Sequence, residues 1–243
     1  MVIAEGKTKI VKQHPTQPDQ VLIESKDDIT AGDGARHDVL AGKGRLATRT
    51  TCNVFRYLEA AGLDTAFIEK IDGTTFVARR CTMVPLEVVI RRLATGSYLK
   101  RRPDLGEGFR FDPPLVELFF KDDARHDPLM SREEVLKAGL LDSIEMEQVV
   151  REGRQIFIAL EMAWARQKVT LVDLKVEFGR IKTRLFLADV IDNDSWRLWP
   201  GGDKSQMKDK QVYRNLQERT PEALAQVLEN YRWVADATDR FIS

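Results

Sequence analysis

Apolar and polar residues alternate along Leu171–Gly179, LVDLKVEFG. A period of two predicts a β-strand whose side chains point alternately to two faces. The apolar residues form one face, which we expect to pack in the core. Asp173, Lys175 and Glu177 share the other face. Two carboxylates beside an ammonium on a half-buried strand are costly unless they are paired, hydrated or bound to a cation.

A second apolar run, Leu185–Ala188, follows after a short polar segment and ends at Asp189. A hairpin between the two runs would bring Asp189 back towards the first strand. Three carboxylates beside a lysine suit a Mg²⁺–phosphate site, because Mg²⁺ binds through one or two carboxylates and phosphate oxygens. A charged, solvated strand face is the alternative, and the pattern leaves both open.

The remaining pattern predicts an α+β protein with two lobes. Residues 1–82 are expected to form a mostly antiparallel, β-rich lobe with one helix. Residues 83–243 are expected to form a larger α+β lobe, with Pro85 as the candidate hinge. The segment 192–209 is predicted to be a loop. Apolar spacing of three and four residues predicts helices at 46–61, 143–168 and 221–241, and short apolar runs predict strands at 20–25, 65–71, 74–80 and 83–90.

Composition excludes several classes of protein. The chain has 243 residues with 38 basic and 38 acidic side chains, so no net charge favours nucleic acid or a membrane surface. No apolar run reaches the roughly 18 residues of a membrane span, and charges come too early for a secretory signal. We therefore expect a cytoplasmic protein. Cys52 and Cys81 lie far apart, form no zinc motif, and are expected to be buried thiols.

Two glycine-containing segments near the N-terminus are candidates for anion and substrate binding. Gly6, Lys7 and Lys9 lie in EGKTK, where a tight turn allows backbone N–H groups to approach a phosphate. A solvated hairpin is the alternative. The segment Thr30–Asp38, TAGDGARHD, places Asp33 between two glycines. It suits a substrate-binding loop or an ordinary turn before a helix.

Basic residues cluster in the second lobe. Arg91 and Ser97 lie in a short stretch with several other cations, and guanidinium and hydroxyl groups suit a phosphate monoester. An exposed basic helix face is the alternative. Arg197 is another candidate anion ligand, as are Lys210 and Arg214. Further candidates for a cleft lining are Lys121, Asp122 and Asp127.

Several of these segments together resemble the SAICAR synthetase family. They run in the same order as in the family, which makes the resemblance far more specific than any single motif. The segment ADVIDNDSWRLWP is similar to the synthetase half of the animal bifunctional enzyme, more so than to the common bacterial form. The matching segments are GKTK, TAGDGAR, MVPLEVVIRRLATGSYLKR, PPLVELFFKDDARHDP, LVDLKVEFG and SWRLW.

The resemblance implies an ATP-dependent ligase of purine biosynthesis. It would condense carboxyaminoimidazole ribotide (CAIR) with L-aspartate to give SAICAR, ADP and phosphate. ATP and Mg²⁺ are the implied cofactors, and the expected partners are small-molecule substrates, with no nucleic acid and no membrane. The oligomeric state is open, a homo-oligomer being one alternative, as are the kinetic order and a separate carboxylase partner.

The resemblance also implies residue roles. ATP would bind at Gly6, Lys7, Lys9, Met83, Glu87 and Lys121. Glu177 and Asp189 would hold Mg²⁺, with Lys175 beside the phosphates. Arg91, Ser97 and Arg197 would hold the ribotide phosphate, Asp33 the imidazole end, and Lys210 and Arg214 the aspartate carboxylates. The resemblance implies no obvious general base; Asp173 is one candidate, and oxygens of the substrate or of phosphate are the alternative. Val190 replaces an acidic residue found in many bacterial members.

Two rival functions differ in a testable way. A kinase-like phosphotransferase acting on another small molecule would need no second phosphate site. A catalytically silent nucleotide-binding subunit that scaffolds a carboxylase would not need Lys7, Lys175, Glu177 and Asp189.

Overall fold

The structure is a computed structural model that describes residues 1–32 and 34–242, apart from the side chain of residue 123. Its first part is an antiparallel sheet in the order β1-β2-β3-β7-β6. A hairpin joins β6 and β7 at Asp72, whose carboxylate accepts the N–H groups of Thr74 and Thr75. The strands are β1 (Val2–Glu5), β2 (Lys9–Gln13), β3 (Gln20–Ser25), β6 (Phe67–Lys70) and β7 (Thr75–Arg79).

A two-stranded ladder and one helix complete this part. Strands β4 (Asp28–Ala31) and β5 (Arg36–Val39) pair with each other. Helix α1 (Lys43–Ala60) begins three residues earlier than predicted. The reason is a tertiary cap: the Asp27 carboxylate accepts the N–H groups of Gly42 and Gly44 at 3.0 and 2.8 Å.

A seven-stranded sheet forms the second part. Its main path runs β11-β10-β9-β12-β13, and β8 and β14 both pair with β12. The strands are β8 (Thr82–Met83), β9 (Leu86–Leu93), β10 (Arg110–Phe120), β11 (Leu129–Met130), β12 (Val169–Ile181), β13 (Arg184–Ala188) and β14 (Trp196–Pro200).

Strand β12 contains the alternating segment and organises this sheet. Its first half pairs with β14 and β9, and its second half pairs with β13 and β8. Strand β14 lies within the segment that was predicted to be a loop, and that prediction was wrong. Trp196, Leu198 and Trp199 are buried, so tertiary packing stabilises a strand in a segment rich in turn-forming residues.

Of the helices described after α1, α4 packs against this sheet, α3 packs on α4, and α6 packs on α1 and α5. Helices α3 and α4 begin with capping boxes at Ser131 and Asp142, and the Thr220 side chain caps α6. The helices are α2 (Ser97–Arg101), α3 (Arg132–Lys137), α4 (Ser143–Ala165), α5 (Gln211–Asn215) and α6 (Pro221–Asp239). In the part of the chain that is described, no helix is long and apolar enough to cross a membrane.

One large apolar cluster extends from the first sheet through α1 and α4 to β12. It crosses the predicted boundary at residue 82, and α1 also contacts α6 through the Arg49–Asp239 ion pair. The two-lobed α+β fold therefore has a shared core, and the boundary itself stays a prediction. Cys52 is buried as expected, but Cys81 is only half-buried at the edge of the second sheet.

Candidate active site

The polar face of β12 lines a cleft of about 690 Å³ between the two parts of the fold. Residues from both parts reach it, including the turn between β1 and β2. Six basic and six acidic side chains line the described part of the cleft. They are Lys7, Lys9, Lys121, Lys175, Lys210 and Arg214, and Glu87, Asp122, Asp127, Glu177, Asp189 and Asp194.

Glu177 and Asp189 meet because of the hairpin between β12 and β13. Glu177 is paired in register with Ala188, so Asp189 follows directly beside it. Asp189 has a φ of 62°, an uncommon backbone conformation for a residue other than glycine. Glu177 is only 4% exposed. The alternative of a solvated strand face was therefore wrong, because this carboxylate is buried at the floor of the cleft.

Lysines neutralise the buried carboxylates. Lys121 Nζ lies 2.6 Å from Glu177, Lys175 Nζ lies 2.5 Å from Glu87, and Lys9 pairs with Asp189. Burial alone would raise the pKa of the Glu177 carboxyl. The charges of Lys121, Lys175 and Lys9 outweigh it and hold that pKa below its ordinary value. The Glu177 carboxyl is therefore ionised near neutral pH, as a ligand of a cation must be.

The same buried, charged environment shifts the pKa values of two lysines in opposite directions. Burial lowers the pKa of Lys9 to about 8, although Glu177 partly opposes the shift. Burial also disfavours charge on Lys175, but Glu87 and Glu177 outweigh it and raise its pKa. Lys175 stays charged near neutral pH, whereas the charge on Lys9 is lost as the pH rises through 8.

The donor set suits Mg²⁺ bound together with a polyphosphate. Glu177 and Asp189 supply two carboxylates, and Mg²⁺ in nucleotide sites needs only one or two. Within the described residues no group of three His, Cys, Asp or Glu side chains could hold a metal alone. The set thus fits a cation whose remaining ligands are substrate phosphate oxygens and water.

The predicted phosphate turn lies at the mouth of this cleft. Gly6 N–H donates to the Lys9 carbonyl at 2.9 Å and closes the turn, and Gly6, Lys7 and Lys9 all line the cleft. Met83 lies on β8, partly exposed and outside the cleft lining. Its predicted contact with the nucleotide is therefore not supported by the cavity. Asp33 lies outside the described residues.

A second cavity of about 560 Å³ adjoins the first, and Arg214 lines both. Ser97 and Arg197 line this cavity, as the resemblance implies. Gly96 has a φ of 58°, and a Cβ there would lie 3.0 Å from Nη2 of Arg197. Only glycine therefore allows the α2 turn to approach the guanidinium so closely.

Arg91 lies outside the lining of both cavities, and its contact with the ribotide phosphate stays a prediction. It is 4% exposed on β9. Its Nε donates to Glu117 at 2.6 Å, and its Nη1 donates to Asp173 at 2.9 Å. The alternative of an exposed basic helix face is wrong for Arg91, because this arginine is buried on strand β9.

Asp173 is the residue that was predicted as the candidate general base. It lies outside both cavity linings, and one carboxylate oxygen accepts hydrogen bonds from Arg91 and Arg197. Both hydrogen bonds come from guanidinium groups, so these contacts hold the Asp173 carboxylate against Arg91 and Arg197.

Lys210 directly precedes α5, Arg214 lies in its last turn, and both line the cleft. Sequence reasoning missed their partner Asp194. Its carboxylate binds Lys210 Nζ at 2.7 Å and the Tyr231 hydroxyl at 2.5 Å. Burial opposes its ionisation, but Lys210 and Lys43 hold the Asp194 pKa well below the usual range. Lys43 itself is 1% exposed.

A signal for Asp194 was present in the sequence. The run Asp192-Asn193-Asp194 lies between the predicted metal ligand Asp189 and the anion ligand Arg197. Three polar residues between two site residues indicate a cleft wall. The partners Tyr231 and Lys43 come from α6 and α1, and no local pattern connects them to this segment.

Comparison with known proteins identifies the family of this chain. A family model described as SAICAR synthetase matches residues 2–231. The chain belongs to the SAICAR synthetase family. The phosphoribosylaminoimidazole-succinocarboxamide synthase of Chloroflexus aggregans is 57% identical over 99% of this chain and 96% of its own length. Multifunctional protein ADE2 of Gallus gallus is 51% identical over 98% of this chain and 58% of its own length.

Solved structures of SAICAR synthetases share the fold. A phosphoribosylaminoimidazole-succinocarboxamide synthase from Ehrlichia chaffeensis matches with a TM-score of 0.89 and 31% identity over 98% of both chains. A SAICAR synthetase in complex with ADP matches with a TM-score of 0.84 and 33% identity, over 95% of this chain and 97% of that one. As a member of the SAICAR synthetase family, the chain is a nucleotide-binding ligase of purine biosynthesis that condenses CAIR with L-aspartate.

Proposed function

We propose that the two cavities divide the substrates of this ligase between them. The larger cleft takes the phosphates of ATP with Mg²⁺, and the second cavity takes the phosphate of CAIR. The observation that carries this assignment is the difference in lining. Carboxylates accompany the cations in the first cavity, whereas the described lining of the second has four cations and no carboxylate.

The proposed chemistry starts from a poor acyl donor. The CAIR carboxylate resists attack by an amine because its negative charge shields the carbon. Its oxygen attacks the γ-phosphorus of ATP, the bond to ADP breaks, and an acyl phosphate forms. Lys7, Lys9 and Lys175 offset the negative charge on the phosphate oxygens. Mg²⁺, held by Glu177 and Asp189, would supply further neutralisation of the transferred phosphoryl group.

The second half-reaction needs aspartate to be held close to the acyl phosphate. Arg214 lines both cavities and Lys210 lines the larger one, so they offer two cations for its two carboxylates. The free amine attacks the carbonyl carbon, phosphate leaves, and the amine loses a proton. Proximity is the main contribution of the protein to this step. Because Asp173 is held by two arginines, we assign it to positioning Arg197 and not to proton transfer.

Nucleotide release tests this function directly. Purified protein is mixed with ATP and Mg²⁺, and CAIR and aspartate are added singly and together. We expect ADP release with both substrates, accompanied by absorbance of the succinocarboxamide product. A kinase-like phosphotransferase would release ADP with a different acceptor. A silent scaffold would bind ATP and release no ADP under any combination.

A further inference from the structure

Asp209 is a buried carboxylate that the proposed mechanism does not use. It is 3% exposed and lies between β14 and the start of α5. One oxygen, Oδ2, accepts the backbone N–H of Leu198 at 2.9 Å. The other, Oδ1, accepts the backbone N–H of Gln211 at 2.8 Å. A single side chain thus joins two elements that are otherwise separate in the chain.

Each of these backbone groups is next to a proposed substrate ligand. Leu198 follows Arg197, and Gln211 follows Lys210. Arg197 points into the second cavity, while Lys210 lines the larger cleft. The two oxygens of one rigid carboxylate therefore fix the spacing between two cations that belong to different substrate sites.

The surrounding backbone strengthens this connection. Lys208 N–H donates to the Leu198 carbonyl at 3.2 Å, and Lys210 N–H donates to the Asn193 carbonyl at 3.1 Å. These bonds fix the segment against β14 and against the loop before it. The N–H groups of Leu198 and Gln211 donate instead to the Asp209 side chain. Without that side chain these groups would lose their acceptor, and a buried N–H without an acceptor is costly in free energy.

Burial of the Asp209 carboxyl also changes its pKa. Burial raises the pKa of the Asp209 carboxyl to about 6, partly opposed by the two N–H bonds and by Arg197. Asp173 on β12 is the other charged group facing it, and its charge adds to the rise. Protonation near pH 6 would weaken acceptance by the carboxylate, since the neutral acid has one poorer acceptor.

We infer that Asp209 is a positioning residue that sets the distance between Arg197 and Lys210, and so aligns CAIR with aspartate. This inference rests on the proposed function, which assigns those two cations to the two substrates. Asp209 touches neither cavity, so it acts only through the backbone of β14 and α5.

Steady-state kinetics of Asp209→Asn and Asp209→Ala test the inference. The asparagine keeps one acceptor, and the alanine keeps none. We expect the KM values of CAIR and aspartate to rise roughly 10-fold in the first variant and 100-fold in the second. The KM of ATP should change less than about twofold, because the bonds of Asp209 do not reach the phosphate turn.

The pH profile gives a second readout. In the unmodified protein, the KM values of CAIR and aspartate should rise as the pH falls through about 6. This rise should be absent in Asp209→Asn, which does not titrate. The asparagine variant keeps the test valid even when the alanine variant does not fold.

Asp72→Asn is the matched control. Asp72 also accepts two backbone N–H groups, at 2.8 Å each, but it lies in a hairpin turn outside both cavity linings. It should lower the melting temperature without changing any KM. Equal rises in all three KM values for Asp209→Asn, or unchanged values, would overturn the inference. Failure of the unmodified protein to consume CAIR and aspartate would instead overturn the proposed function.

Discussion

The two cavities of this ligase differ in the charges of the side chains that line them. The larger cleft mixes six basic and six acidic side chains in its described lining. The second cavity presents four basic side chains, and the described part of its lining has no carboxylate. The first therefore depends on an added cation to bind a polyphosphate strongly. The second is proposed to hold a phosphate monoester through Arg197, because a guanidinium group offers a bidentate fork to phosphate oxygens.

The difference follows from where each cation is held. In the larger cleft the lysines pair with Glu87, Glu177 and Asp189, so part of their charge is already neutralised. In the second cavity the neutralising carboxylate, Asp173, lies behind Arg197 and outside the lining. A counter-ion behind the guanidinium orients it, whereas a counter-ion beside a lysine competes with the ligand. Three tests use this contrast.

Glu177→Gln should have the largest effect. The amide keeps the shape of the side chain but removes the charge that would hold Mg²⁺. We expect kcat to fall about 10³-fold in an ADP-release assay, with an unchanged melting temperature within a few degrees. Glu229→Gln is the control, because its carboxylate pairs with Arg232 on the surface. A loss of less than tenfold would contradict the assignment of Glu177 as a metal ligand.

Arg197→Ala should have the next largest effect, and it should be confined to the second cavity. Loss of a charge-assisted bond to phosphate weakens binding by about 2 kcal/mol, which corresponds to a rise of roughly 30-fold in the KM of CAIR. The KM of ATP should stay the same. Arg102→Ala serves as the control, since its guanidinium pairs with the exposed Asp104. Equal rises for both substrates would show that the cavities are not independent sites.

The smallest effect concerns pH. Burial holds the Lys9 pKa at about 8, so its positive charge is lost as the pH rises above that value. ATP should bind more weakly above pH 8, by at most about tenfold per unit, whereas CAIR binding should stay constant. The dissociation constants can be measured by calorimetry. Lys9→Arg should remove the pH dependence of ATP binding, and a dependence that persists would assign it to another group.

The strongest sequence patterns correctly predicted elements of the structure. The alternation in LVDLKVEFG predicted β12 and its two faces, and the following run predicted the hairpin that places Asp189 beside Glu177. The helix periodicity predicted α1, α4 and α6 to within a few residues. These predictions work because both periods reflect a local choice between one buried and one polar face.

Other features depended on contacts that are distant in the chain. The segment around β14 contains Asp, Asn, Gly and Pro, and local propensity favours a loop there. It becomes a strand because Trp196 and Trp199 are buried and β12 offers a free edge in that register. Likewise the sequence did not show that Arg91 is buried and pairs with Glu117 and Asp173, because both partners lie far away in the chain.

The sequence by itself determined the α+β class, the family, and most of the charged residues of the two cavities. Those properties depend on residue type and on spacing within one element. Only the tertiary structure decided which charges face a cavity and which lie behind it, because burial and ion pairing depend on neighbours from other elements. Asp194 and Asp209 illustrate this, since their partners come from α6, β14 and α5. No periodicity records such contacts.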